Sequence, residues 1–200
     1  GVYGTTITNS SSNYSEWSSA GIEIYQNANV TMNSEEIANV QNGVSADNYY
    51  AANGGNNTGA VVKIEATSIN ATGTAIRVYG DGEDGDIGTT ANVTVDGGDY
   101  VGNIAIINGT TSNDSSAKKE IISISQASIA GDIDNENGVM SFVSCGITNE
   151  NGITDPIAGV TFINTTVNGE TVSTDTEGNV ALLNGTLYET LQVAVEAAKD

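Results

Sequence analysis

The sequence predicts an all-β solenoid, a single parallel β-helix with three short strands per turn, closed by a short C-terminal α-helix. Two observations predict it. The first is compositional. Only 15% of the 200 residues are charged and one is Pro, while Gly reaches 24 and Asn, Ser and Thr supply most of the polarity. Val, Ile and Thr fall in short runs separated by Gly, Asn and Asp, which is the pattern of many short strands joined by turns. A disordered chain needs more charge and fewer β-branched residues. The length suits one domain.

The second observation is a repeat. An apolar residue, any residue, a second apolar residue, and an apolar or aromatic residue five places later recur with fixed spacing. The matches are Val30, Met32, Ile37; Val62, Ile64, Ile69; Val93, Val95, Tyr100; Ile122, Ile124, Ile129; Met140, Phe142, Ile147; and Val160, Phe162, Val167. Their first anchors stand 32, 31, 29, 18 and 20 residues apart. Residues i and i+2 of a strand face one side, here a core. The residue five places on starts a second inward strand after a bend. Ile22 and Ile24, Ile76 and Val78, Ile104 and Ile106, and Ile133 supply a third. Stacked turns of this kind bury a continuous column of anchors. An antiparallel β-sandwich is the competing fold, but hairpin connections give no reason to hold a five-residue offset through six units.

The unequal spacing locates insertions. The extra residues fall at Gln41 to Gly59, Tyr79 to Ala91 and Asn108 to Glu120, before the next first strand. Insertions at one point of successive turns project from one flank. The repeat domain is placed at residues 1–178. Residues 179–200 read as a terminal strand, with Val180, Leu182 and Leu187 repeating the offset. A helix follows over Glu189 to Lys199, with Leu191, Val195 and Ala198 on one face. That segment either caps the solenoid or opens a following unit.

The formal net charge is −20, which disfavours nucleic acid and anionic membranes as partners. The single cysteine, Cys145, allows no intramolecular disulfide. No signal peptide, membrane-spanning run or anchor motif is found, and the expectation is that the chain is a piece of a longer protein.

With these residues placed, the chain resembles the pectin-lyase-like right-handed β-helix proteins, closest to the repetitive surface proteins and adhesins of commensal bacteria. The resemblance covers about residues 20–170 as a pattern. The tail from Asn184 to Asp200 is similar to the Tyr-x-Thr-Leu-x-x-Ala-Val-x-Ala-Ala segment that opens β-helical units in such proteins. The resemblance implies a right-handed coil and an extracellular location, secreted or anchored to a bacterial surface. It does not imply one activity.

An enzyme on this scaffold needs paired carboxylates for hydrolysis, or calcium carboxylates with a basic residue for elimination. On the outward positions of the first strands only Lys63, Glu65 and Asp96, with nearby Asp99, offer such a cluster. There is no histidine, and the only arginine, Arg77, lies in a third strand. The expectation is therefore no enzyme, with a polysaccharide lyase or glycoside hydrolase as the alternative. No cofactor is expected beyond Ca²⁺. Its first candidate site is Asp81, Glu83, Asp84 and Asp86, dense hard oxygens among glycines. Asp132, Asp134 and Glu136 are the second. Both runs are also ordinary turn composition. Glycan-binding candidates are Tyr49, Tyr50 and Tyr79, which offer rings for stacking, with Asn53 and Asn56 for hydroxyls. Tyrosine packed on its own coil explains the same rings. Asn-x-Ser/Thr triplets at Asn29, Asn70, Asn92, Asn108 and Asn164 follow from composition in a chain so rich in Asn and Thr.

The expected function is a non-catalytic surface module, adhesin-like or stalk-forming, presenting loops to host or microbial glycans or proteins. A pure structural spacer is the third reading.

Overall fold

The structure is a computed structural model that describes residues 2–8, 20–25, 28–47, 59–80, 90–109, 119–150, 157–172, 181–183 and 186–188. Every regular element among these is a strand. In chain order they are β1 (Val2–Tyr3), β2 (Thr6–Thr8), β3 (Ala20–Ile24), β4 (Asn29–Asn33), β5 (Glu36–Asp47), β6 (Val61–Glu65) and β7 (Ser68–Tyr79). Then come β8 (Asn92–Asp96), β9 (Asp99–Ile107), β10 (Ile121–Ser125), β11 (Ser128–Ala130), β12 (Ile133–Asn135) and β13 (Val139–Val143). The last are β14 (Gly146–Thr148), β15 (Val160–Ile163), β16 (Thr165–Val167), β17 (Glu170–Val172), β18 (Ala181–Leu183) and β19 (Thr186–Tyr188).

The chain passes between two sheets. One holds β1-β4-β6-β8-β10-β13-β15, all parallel. The other runs β17-β16-β14-β11-β9-β7-β5-β2, with β12 beside β9 and β3 beside β5. Each pass pairs with the pass before it, and the anchors align rung by rung. Val30, Val62, Val93, Ile122, Met140 and Val160 form one column of register partners. Met32, Ile64, Val95, Ile124, Phe142 and Phe162 form a second. Ile37, Ile69, Tyr100, Ile129, Ile147 and Val167 form a third. Nearly all of these side chains are buried in one hydrophobic core. The Phe142 and Phe162 rings stack at 5.4 Å within it. An earlier rung carries the pattern too, because Val2 pairs with Met32 and Ile7 with Ile37.

The first bend of each pass is a single residue four places beyond the first anchor. Ser34, Ala66, Gly97, Gln126, Ser144 and Asn164 all have positive φ there, between 45° and 70°. One left-handed residue turns the chain from one sheet to the other. The strained conformation repeats whether or not glycine fills it.

Three expectations need correction. The second and third strands lie in one sheet and are not always separate: they are distinct as β2 and β3 and as β11 and β12. In β5 and β7 they are one continuous strand, with register shifts at Ala38/Val40/Asn42 and Asn70/Thr74/Ile76 absorbing the bend as bulges. The first insertion starts later than Gln41, because Gln41–Asp47 lies in β5, where Val44 and Ala46 are the inward pair. The offset from Leu182 to Leu187 is not another coil. These residues pair across an antiparallel two-stranded sheet, and the intervening Asn184-Gly185 is a strong hairpin sequence. β17 is antiparallel as well: it folds back on β16 through Asn168 and Gly169, both at positive φ. The helix expected over Glu189 to Lys199 lies outside the described residues.

Candidate functional site

The three insertions leave and return at neighbouring rungs. Their last strand residues, Asp47, Tyr79 and Ile107, are successive register partners. Where the chain returns, the Asn92 N–H donates to the Ala60 carbonyl and the Ile121 N–H to the Ala91 carbonyl, each at 2.9 to 3.0 Å. Three insertions therefore spring from one flank at a pitch of about 4.8 Å.

Of the glycan-binding candidates, Tyr79 is the one the structure describes. It ends β7, half-buried between its neighbours on adjacent rungs. Tyr49, Tyr50, Asn53 and Asn56 lie outside the described residues, as do Asp81, Glu83, Asp84 and Asp86.

At the foot of this flank two acids appear that the sequence reading did not assign there. Glu120 is completely buried beside Gly80, where a Cβ would lie 2.9 Å from Glu120 Oε1. Glu136 accepts the Asn108 N–H at 2.6 Å, and the Asn108 side-chain amide donates to the Gly80 carbonyl at 3.1 Å. These contacts tie the base of the second insertion to that of the third. No sequence signal marks them, because the partners come from different turns.

The second calcium candidate does not assemble. Asp134 and Glu136 share the outward face around β12 through strand alternation. Glu136 is occupied with Asn108, and the Asp132 N–H donates to Asn103 Oδ1 at 3.0 Å. Among the described residues no three acidic, cysteine or histidine side chains are gathered as metal ligands. Burial, and then the charge of Glu136, push the Asp134 carboxyl above its ordinary range.

The outward row of the first sheet is a network of polar pairs. Lys63 Nζ lies 2.5 Å from Glu65 Oε1, and Asn33 donates to Glu65 Oε2 at 2.8 Å. This pairing raises the Lys63 pKa and lowers that of Glu65. Ser125 donates to Asp96 Oδ1 at 3.0 Å. Glu65 and Asp96 are register partners on adjacent rungs, so these carboxylates do share a surface. Asp99 lies beyond the bend in β9 and pairs with Ser68 and Ser128 instead. Arg77 Nε donates to the buried Ser45 hydroxyl at 3.0 Å, away from this row. Ser141 and Ile163, which alternate with the inward anchors at the later rungs, are buried as well.

A second column runs along the corner, at the residue after each bend: exposed Thr5 at its end, then Glu35, Thr67, Gly98, Ala127, Cys145 and Thr165, of which Glu35, Thr67, Ala127, Cys145 and Thr165 are buried. Its hydroxyls and thiol bond the carbonyl two residues earlier. The contacts are Thr67 to Glu65 at 3.0 Å, Cys145 to Val143 at 3.5 Å and Thr165 to Ile163 at 3.1 Å. Burial raises the Cys145 thiol pKa. No helix among the described residues is long and apolar enough to cross a membrane.

Comparison with protein-family models, curated proteins and solved structures finds no match.

Proposed function

We propose that the chain is a single right-handed parallel β-helix serving as a non-catalytic surface module, whose decorated flank presents loops to glycans or proteins. The carrying observation is the stacking of Asp47, Tyr79 and Ile107 on adjacent rungs. A rigid coil that releases three insertions in a row builds one composite surface from segments distant in sequence. Function placed on loops above a regular scaffold is a common division of labour. The in-register anchor columns support the coil. The pectin-lyase-like resemblance supports its right hand and an extracellular setting. The negative charge suits a soluble surface module, and the proposal includes Ca²⁺ held by Asp81, Glu83, Asp84 and Asp86 in the second insertion.

The alternative is a polysaccharide lyase or hydrolase working on the Lys63, Glu65 and Asp96 row, where carboxylates stand on neighbouring rungs. Incubation with acidic and neutral polysaccharides, with and without calcium, separates the two. The module reading expects neither reducing ends nor unsaturated uronate, together with retention on a glycan or surface-protein array. Product formation lost in Glu65→Gln overturns it. An intact chain that binds nothing on the array at high concentration leaves the spacer reading in its place.

A further inference from the structure

Among the described residues one buried side-chain oxygen has no hydrogen-bonding partner, Oε1 of Glu35. Glu35 is 2% exposed and stands in the corner column between Thr5 and Thr67. Its Oε2 lies 3.1 Å from the Thr67 hydroxyl, which is also 3.0 Å from the Glu65 carbonyl oxygen. At the last two rungs of this column a neutral donor meets carbonyl oxygens. Thr165 reaches those of Ile163 and Phe142, and Cys145 those of Val143 and Ile124. At Glu35 the column brings two further acceptors to a corner already lined by acceptors. A buried carboxylate with one neutral hydrogen bond is costly unless positive charge meets it. Lys63 does not supply that charge, since it is engaged with Glu65 on the outer face.

We propose that Glu35 holds a monovalent cation of the sodium or potassium class at the N-terminal end of the core. The Glu35 carboxylate, the Thr67 hydroxyl and the Glu65 carbonyl form an all-oxygen set, the chemistry that hard cations take. Oxygens about 3 Å apart match neighbouring ligands of a hard cation bound at about 2.4 Å. The charge selects the class. One carboxylate among neutral oxygens balances a single positive charge, whereas the acidic run at Asp81 to Asp86 suits a divalent ion.

The test is thermal unfolding of the full chain in sodium, potassium and tetramethylammonium chloride at equal ionic strength, with a chelator removing divalent ions. The expected result is a melting temperature several degrees higher in sodium or potassium than in tetramethylammonium, with the difference gone in Glu35→Gln. Glu35→Thr, which installs the residue used at three other rungs of the column, serves if the glutamine variant does not fold. Equal stability of the unsubstituted chain in all three salts overturns the proposal. So does a variant that keeps the full salt difference, since the cations then act at the acidic surface.

Discussion

The Tyr100 hydroxyl lies 2.7 Å from where a Cβ on residue 98 would stand, and it donates to the Gly97 carbonyl at 2.9 Å. Gly98 leaves the corner column open, and the tyrosine of the neighbouring anchor column fills the gap. Gly98 also has φ +103°, and an added Cβ would approach the Thr67 carbonyl oxygen to 2.2 Å. Gly98→Ala therefore meets backbone that cannot yield. The expected loss is about 2–4 kcal/mol from strain and overpacking. Tyr100→Phe keeps the ring and loses one hydrogen bond, about 1 kcal/mol. Urea unfolding of both variants checks the order.

The same tyrosine makes stability depend on alkaline pH. Burial first, then the charge of Asp99, pushes its hydroxyl well above the ordinary 10. A group whose folded pKa is raised holds its proton better in the folded state. Its contribution is complete below the unfolded value and is lost as pH rises through the folded one. Melting temperature is thus expected to fall from about pH 10 upward. Tyr100→Phe should flatten that fall. Cys145, raised by burial from 9.0, adds a component that starts about one pH unit lower.

Asp134 gives an opposite substitution sign at neutral pH. Desolvation and Glu136 raise its pKa, so ionisation above the folded value weakens the fold. Asp134→Asn should raise the melting temperature at pH 7. At pH 2.5, where the acid is protonated in both states, the variant should match the parent.

Ala66 holds φ 45° at a bend where Gly97 serves one rung on. Relief of left-handed strain outweighs the extra freedom of glycine in the unfolded chain. Ala66→Gly is expected to gain up to about 1 kcal/mol. A loss of stability in denaturant titration would mean that the bend does not have this conformation.

Much of this architecture was legible because inward strand positions are apolar and period two is rigid. The anchor columns from Val30 to Val167 needed only spacing. Val44 and Ala46 escaped because Asn42, Gly43 and Ser45 surround them with turn-like composition. The left-handed bends escaped because Ser, Ala, Gly, Gln and Asn all occupy them, so residue type carries no common mark. The hairpin at Leu182 and Leu187 matched the repeat by spacing alone, and backbone pairing is what separates the two. The ties among Gly80, Asn108, Glu120 and Glu136 are contacts between turns, which a linear pattern does not contain. The reading of one decorated flank came from insertion lengths, and the register of Asp47, Tyr79 and Ile107 gives it a physical basis.

The most direct measurement compares binding of the intact chain with that of a variant whose three insertions, residues 48–58, 81–89 and 110–118, are replaced by short Gly-Ser links. The coil already makes turns of 18 and 20 residues without long insertions, so the trimmed variant should keep a cooperative melt. On one glycan and surface-protein array, the intact chain is expected to bind a defined ligand class and the folded, trimmed chain to lose it. Equal binding by the two, or binding by neither, would contradict the account.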